Sequence, residues 1–151
     1  MKRLFVLSAL CLVIAGLVPA VTSLRAQNRA EGAIANATTT HTKISVGVTE
    51  DETAVKTSAG AVYTITATNT NAAARYLKCY NLTAASAAPG TSTPWLRLAI
   101  PPAATSGALS VTFPNGAFFS TALTCALVTG AADTDVAEVA ANEVMWFITY
   151  K

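Results

Sequence analysis

Hydrophobic and polar residues alternate over short stretches of this chain, and turn-forming residues separate the stretches. In residues 61–68 (AVYTITAT), Tyr63, Ile65 and Ala67 alternate with threonines. Such alternation places one side of a strand in the core and the other at a hydroxylated surface or a subunit contact. Further strand signals lie at residues 44–49, 53–58, 75–82, 95–100, 108–113, 123–129 and 143–150. About eight short strands at intervals of roughly ten residues predict an all-β antiparallel sandwich or jelly roll.

The last predicted strand is apolar on both faces. One side carries Val144, Trp146, Ile148 and Tyr150, and the other carries Met145 and Phe147. A strand of this kind needs apolar cover on both sides, so we expect it in the middle of a sheet. A second sheet would pack on one face, and a neighbouring element or subunit on the other.

The N-terminus has the organisation of a secretory signal peptide. Lys2 and Arg3 precede an apolar run at residues 4–18, and small residues follow it. The run is shorter than the roughly 20 residues that cross a bilayer, so we expect a cleaved leader and no stable membrane anchor. Cleavage after Ala26 is favoured over earlier small residues. We therefore expect a secreted, periplasmic or cell-surface protein.

This interpretation divides the chain into three segments. They are a leader at residues 1–26, a flexible polar arm at residues 27–43 and one β-domain at residues 44–151. His41 is the only histidine and lies in the arm, where we expect it to be exposed. A single histidine cannot supply a multi-histidine zinc site, and no catalytic histidine triad is expected in an unstructured arm.

Composition narrows the range of partners. The chain contains 31 Ala and 22 Thr, and only 12% of its residues are charged, which favours strands with hydroxylated outer faces. Without Lys2, Arg3 and Arg25 of the leader, ten positive residues become seven against eight negative ones, and the net charge falls from +2 to −1. A nearly neutral chain without a Lys/Arg run has no electrostatic footprint for nucleic acid.

Two cysteines remain after loss of the leader. Cys79 and Cys125 each lie in a strand-like run, in phase with apolar neighbours. After export they could form a disulfide that joins two strands across the core. Its loop of 125 − 79 = 46 positions is worth on the order of 4 kcal/mol in the chain-entropy model. The alternative is two buried thiols that never meet, and the spacing is unlike the Cys-x-x-Cys of redox enzymes.

The best candidate for a binding site is one face of a predicted hairpin. If residues 75–82 pair with residues 95–100, the face opposite the core carries Tyr76, Lys78, Tyr80, Trp95 and Arg97. Aromatic rings interleaved with cations can stack on sugars or bury themselves against a partner chain. The alternative is that these side chains only cover the sheet, or pack beneath the N-terminal arm.

Signals for metal binding and catalysis are weak. The three carboxylates at residues 50–52 are consecutive and do not converge on one point, and Asp133 and Asp135 lack further oxygen ligands for calcium. Asp135 and Glu138 instead have capping-box spacing, which predicts a single helical turn. No Gly-x-Ser-x-Gly motif is present. We expect no metal, no cofactor and no catalytic residue.

Residues 59–151 resemble small virion-associated β-sandwich proteins of tailed bacteriophages and of their prophage and metagenomic relatives. The stretches that carry the resemblance are SAGAVYTITATNTNAAARYLKCYN, TPWLRLAIPP and FPNGAFFSTALTCALVTGAADTDVAEVAANEVMWFITYK. The resemblance implies a non-enzymatic structural role, such as decorating a capsid or contributing to a tail or fibre. The chain departs from the pattern in its leader and in its two cysteines.

Two hypotheses of function follow. The first is a non-catalytic structural module that associates with itself or docks on a larger assembly, in a virion if the gene belongs to a phage. The alternative is a secreted carbohydrate-binding or adhesin-like module that uses Tyr76, Tyr80 and Trp95.

Overall fold

Eight strands form two antiparallel four-stranded sheets in the computed structural model, which describes residues 38–47 and 52–151. The strands are β1 (Thr39–Ile44), β2 (Thr53–Lys56), β3 (Gly60–Asn69), β4 (Arg75–Tyr80), β5 (Leu96–Ile100), β6 (Ala108–Phe119), β7 (Leu123–Val128) and β8 (Val144–Tyr150). Sheet A has the order β1-β8-β3-β6, and sheet B has the order β2-β7-β4-β5. The predicted sandwich is confirmed, and its strand order is that of a jelly roll.

The predicted leader and the arm up to residue 37 lie outside the described residues. Two of the three consecutive carboxylates, Glu50 and Asp51, also lie outside them. Within the described ranges, no helix has the length and hydropathy needed to cross a membrane.

The core lies between the two sheets and is filled by alternate side chains of their strands. Sheet A contributes the fully buried Ile65 and Trp146, and sheet B contributes the fully buried Leu77 and Leu127. Burying such side chains stabilises the fold by roughly 1.5–3 kcal/mol each relative to exposure. The alternation seen in the sequence is therefore the pattern that separates core from surface.

Strand β8 lies inside sheet A, between β1 and β3, as predicted. Its inward side chains Val144, Trp146 and Ile148 are buried, whereas Met145 and Phe147 point away from the core. No described element covers that outer side. The strand that is buried on both faces is β7, in which all six residues are buried.

Strand β1 corrects the predicted boundary of the flexible arm. Thr39–Ile44 pairs with β8 from Thr39↔Tyr150 to Ile44↔Met145, so it forms an edge of sheet A. The expectation that His41 is exposed is also wrong. Its ring is partly buried against Trp146, with ring centroids 5.4 Å apart.

Two local predictions fail for identifiable reasons. Strand β6 continues through residues 114–116, which were predicted as a turn, because the β3–β6 register shifts there and Gly116 takes a positive φ of 75°. The predicted helical turn at residues 135–138 does not form. The carboxylate of Asp135 instead accepts hydrogen bonds from the backbone N–H groups of Gly130 and Ala137, both at 3.1 Å.

Candidate functional site

Cys79 and Cys125 form a disulfide, as the sequence allowed. They lie directly opposite each other on the neighbouring strands β4 and β7, with Cα atoms 4.0 Å apart. The bond therefore joins two strands of sheet B and not strands on opposite sides of the core, which corrects that part of the prediction. Its position in the buried interior gives it a structural role.

The structure brings together four of the five residues predicted as a binding face. Tyr76, Lys78 and Tyr80 alternate with the core residues of β4 and point outward from sheet B. Arg97 lies opposite Lys78 in the register of β4 and β5. Trp95 precedes β5 and packs instead against the core, where its ring meets that of Phe119 edge-on at 6.3 Å.

The chain itself covers much of this face. The connection between β7 and β8 lies over sheet B, and the Nζ of Lys78 donates hydrogen bonds to the carbonyl oxygens of Ala132 at 2.5 Å and Asp135 at 2.9 Å. Lys78 and Tyr80 are fully buried. The prediction that they are exposed is therefore wrong, because sequence patterning does not show where a long connection folds back.

Burial and charge act in opposite directions on Lys78. Burial lowers the pKa of its ammonium group, and the negative charges of Asp135 and Asp133 partly oppose that change. The ammonium group is held by two backbone carbonyls, which supply hydrogen bonds without a direct ion pair. Through these hydrogen bonds, Lys78 anchors the β7–β8 connection to sheet B.

Arg97 also binds the β7–β8 connection, at the solvent-exposed surface of sheet B. Its guanidinium group donates two parallel hydrogen bonds to the carboxylate of Asp133. These bonds lower the pKa of Asp133 and raise that of Arg97. Both side chains remain more than two-fifths exposed, so solvent screens the pair. The predicted binding residues Lys78 and Arg97 are thus both engaged with the chain's own loop.

The outer face of sheet A offers a different surface, which we call the hydroxyl face. Its side chains form three rows across the four strands, set by the register of β1, β8, β3 and β6. The rows are Thr40, Thr149, Thr64 and Thr112; Thr42, Phe147, Thr66 and Ser110; and Ile44, Met145, Thr68 and Ala108. None of these twelve side chains is charged.

Apolar side chains mark two diagonally opposite corners of the hydroxyl face. Ile44 and Met145 are 42% and 38% exposed at one corner, at the β1 edge. Phe118 is 68% exposed at the opposite corner, on the β6 edge, in a fourth row just beyond these three, where Ala61 pairs with both Phe118 and Lys151. The other strongly exposed large apolar side chain of the described residues is Val46, two positions after Ile44.

Part of this surface could be read from the sequence. The threonines of residues 61–68 were assigned to a hydroxylated surface or a subunit contact. The side of the last strand that carries Met145 and Phe147 was expected to meet a neighbouring element or subunit. The contribution of β1 was missed, because its sequence TTHTKI is polar and shows little hydrophobic alternation.

Within residues 38–47 and 52–151, no three His, Cys, Asp or Glu side chains come close enough together to hold a metal ion. The chain matches no protein-family model, no curated protein and no solved structure, so its function has to be argued from its own residues.

Proposed function

We propose that this protein is an exported, non-catalytic structural module that associates with itself or docks on a larger assembly through the hydroxyl face. The observation that carries the proposal is the combination of an open sheet face, twelve uncharged side chains and two exposed apolar corners. Neighbouring exposed apolar side chains, such as Ile44 and Met145, can mark an interaction surface.

The energetics of this face favour contact with another surface. Covering Ile44, Met145 and Phe118 would remove apolar area from water at about 25 cal/mol per Å². None of the twelve positions carries a charged group that would lose its hydration in a contact. The free-energy cost of desolvating charges, which opposes the formation of many protein interfaces, is therefore avoided within these rows. Threonine methyl groups add apolar area, and their hydroxyls can donate or accept hydrogen bonds across the contact.

A virion-type or surface-assembly role is the specific form of this proposal. The resemblance of residues 59–151 to virion-associated sandwich proteins supports it, and jelly rolls are frequent in capsid domains. That fold also serves lectins, so the fold alone does not decide the function. The leader signal and the disulfide favour an assembly outside the reducing cytoplasm.

The carbohydrate-binding alternative has less support. A sugar platform needs exposed rings, but Tyr80 is fully buried and Trp95 packs against the core, away from Tyr76. Of the predicted site, Arg97 is exposed, Tyr76 and Trp95 are half-buried, and Lys78 and Tyr80 are fully buried.

Light scattering of the purified protein across a range of concentrations tests the proposal. We expect a mean mass that rises above that of one copy, and Met145→Lys should return it to one copy, because a charge would be desolvated in the contact. Ala104→Lys adds the same charge on an exposed loop and should leave the mass unchanged. The proposal would be contradicted if the wild-type protein has the mass of one copy at every concentration and also binds no larger assembly.

A further inference from the structure

The two apolar corners of the hydroxyl face lie at opposite ends of one diagonal. Ile44 and Met145 occupy the β1–β8 side at one end of the strands, and Phe118 occupies β6 at the other end. With strands about 4.8 Å apart and about 3.3 Å per residue, the corners are separated by roughly 14 Å across the four strands and by roughly 20 Å along them, and the face with its margins measures roughly 19 by 23 Å. The face is therefore longer than it is wide, and a twofold axis that lies in its plane, perpendicular to this diagonal, exchanges the two corners.

A second copy of this chain has the chemistry that such a face requires. Phe118 projects a ring, and the partner corner supplies two aliphatic side chains, one of them the thioether of Met145 that packs well on aromatic rings. The twelve positions of the three rows carry no charge, so these rows can meet their own copies without like-charge repulsion. A charged partner would find no counter-charge among those positions.

Charge also selects among the ways in which two copies could meet. Lys151 pairs with Ala61 and lies in the same row as Phe118. If like ends of the strands met, two copies of Lys151 would approach each other and repel. The diagonal arrangement moves them apart, because it places Lys151 of each copy over the β1 edge of the other, roughly 13 Å from the other Lys151 on the same strand spacings.

We propose, as a deepening of the proposed function, that two copies pack face to face through the hydroxyl face, with Phe118 of each copy seated on Ile44 and Met145 of the other. Exchange of the corners of a face with these proportions turns the strands of one sheet by roughly 60–70° from those of the other, between the aligned and the orthogonal classes of sheet packing. Thr68 of one copy then lies close to Thr112 of the second copy.

The size of the face sets the expected affinity. A projected area of roughly 400 Å² is about half of the roughly 800 Å² that each partner buries in a standard stable interface. The pairing is therefore weak and depends on concentration. It becomes strong only where many copies are held together, as in an assembly.

Site-directed cross-linking tests the arrangement. Thr68→Cys and Thr112→Cys are both on the exposed part of the face and leave the three apolar side chains in place. Mixed under mild oxidation, the two variants should form a disulfide-linked dimer at least several-fold faster than either variant alone. Adding Phe118→Ser to both variants should abolish the difference, and Ala104→Cys should cross-link with neither.

The outcomes separate this inference from the proposed function. Faster cross-linking of Thr68→Cys with itself would show that like ends meet and would overturn the diagonal arrangement. If the wild-type mass rises with concentration in a Met145-dependent way but no cross-link forms, the arrangement is overturned and the proposed function survives. If the wild-type protein neither associates nor binds a larger partner, the proposed function fails and the inference fails with it.

Discussion

At the scale of single residues, Ser45 links the edge strand β1 to the start of β8. It is fully buried just beyond β1, and its hydroxyl donates to the carbonyl of Ala140 at 2.7 Å. The same oxygen accepts hydrogen bonds from the backbone N–H groups of Glu143 and Val144 at 3.0 and 3.1 Å. One small side chain therefore connects the end of β1 to the start of β8.

Ser45→Ala should lower the free energy of unfolding by about 1–3 kcal/mol, because the buried N–H of Val144 loses its acceptor. Urea denaturation followed by circular dichroism measures the change. Ser110→Ala, at an exposed position of β6, is the matched control and should change stability by less than about 0.5 kcal/mol. Equal effects of the two substitutions would contradict the role given to Ser45.

His41 should make stability depend on pH. Burial lowers the pKa of its imidazole, and the positive charge of Lys43 lowers it further. Above about pH 6.5 the ring is neutral in both the folded and unfolded chains, so its full contribution to the free energy of unfolding is present. As the pH falls below that value the unfolded chain takes up the proton first, and stability is lost until the folded ring is also protonated.

We expect the wild-type free energy of unfolding to fall more steeply between about pH 7 and about pH 5 than that of His41→Phe, which keeps the ring contact with Trp146. The carboxylates are common to both proteins, so the difference between the two curves isolates His41. If the free energies of unfolding of the two proteins change in parallel with pH, the pKa of His41 is the same in the folded and unfolded chains.

The sequence could not have revealed these two residues. Ser45 and His41 are polar residues in or beside a polar stretch, and nothing in the local pattern marks them as buried. Their burial depends on pairing with β8, which is about a hundred residues away along the chain. Cys79 and Cys125 were more accessible to prediction, because apolar neighbours in phase with them indicated the core.

At the scale of elements, alternation identified seven of the eight strands, and the eighth, β1, was displaced toward the C-terminus in the prediction. The main error was the β7–β8 connection, whose Ala-rich sequence gives no sign that it covers sheet B. The consequence was that Lys78 and Tyr80 were assigned to an exposed site when both are fully buried, Lys78 beneath this connection.

Lys78→Met should loosen that connection. The carbonyls of Ala132 and Asp135 lose their donor, at a cost of about 1–3 kcal/mol. We expect faster hydrogen exchange in residues 130–137 than in the wild type. Lys56→Met removes a lysine of β2 that bonds to an exposed serine, and serves as the control. Unchanged hydrogen-exchange rates in residues 130–137 after Lys78→Met would contradict the inference that Lys78 anchors this connection.

Reduction of the disulfide should destabilise sheet B. A loop of 46 positions predicts a loss on the order of 4 kcal/mol in the chain-entropy model. Peptide mapping without reductant should recover the segments around Cys79 and Cys125 joined to each other. Recovery of two free thiols, with no change in stability on adding reductant, would show that the bond does not form in solution.

At the scale of the whole molecule, the sandwich has two unlike outer surfaces. Sheet B is covered by the chain's own connection, which Lys78 and Arg97 hold in place. Sheet A presents the hydroxyl face to its surroundings, with apolar corners at Phe118 and at Ile44 and Met145. Within the described residues, one outer surface is thus largely covered by the β7–β8 connection and the other is left exposed.

The methyl group of Met145 gives the most direct test of that claim, because the chain has only one other methionine, Met1. In protein labelled with ¹³C-methyl methionine, contact with an aromatic ring of a second copy should move the Met145 signal upfield as the concentration rises. Phe118→Leu should greatly reduce the movement. A Met145 signal that stays fixed at every concentration would contradict the account that the hydroxyl face is where copies of this protein meet.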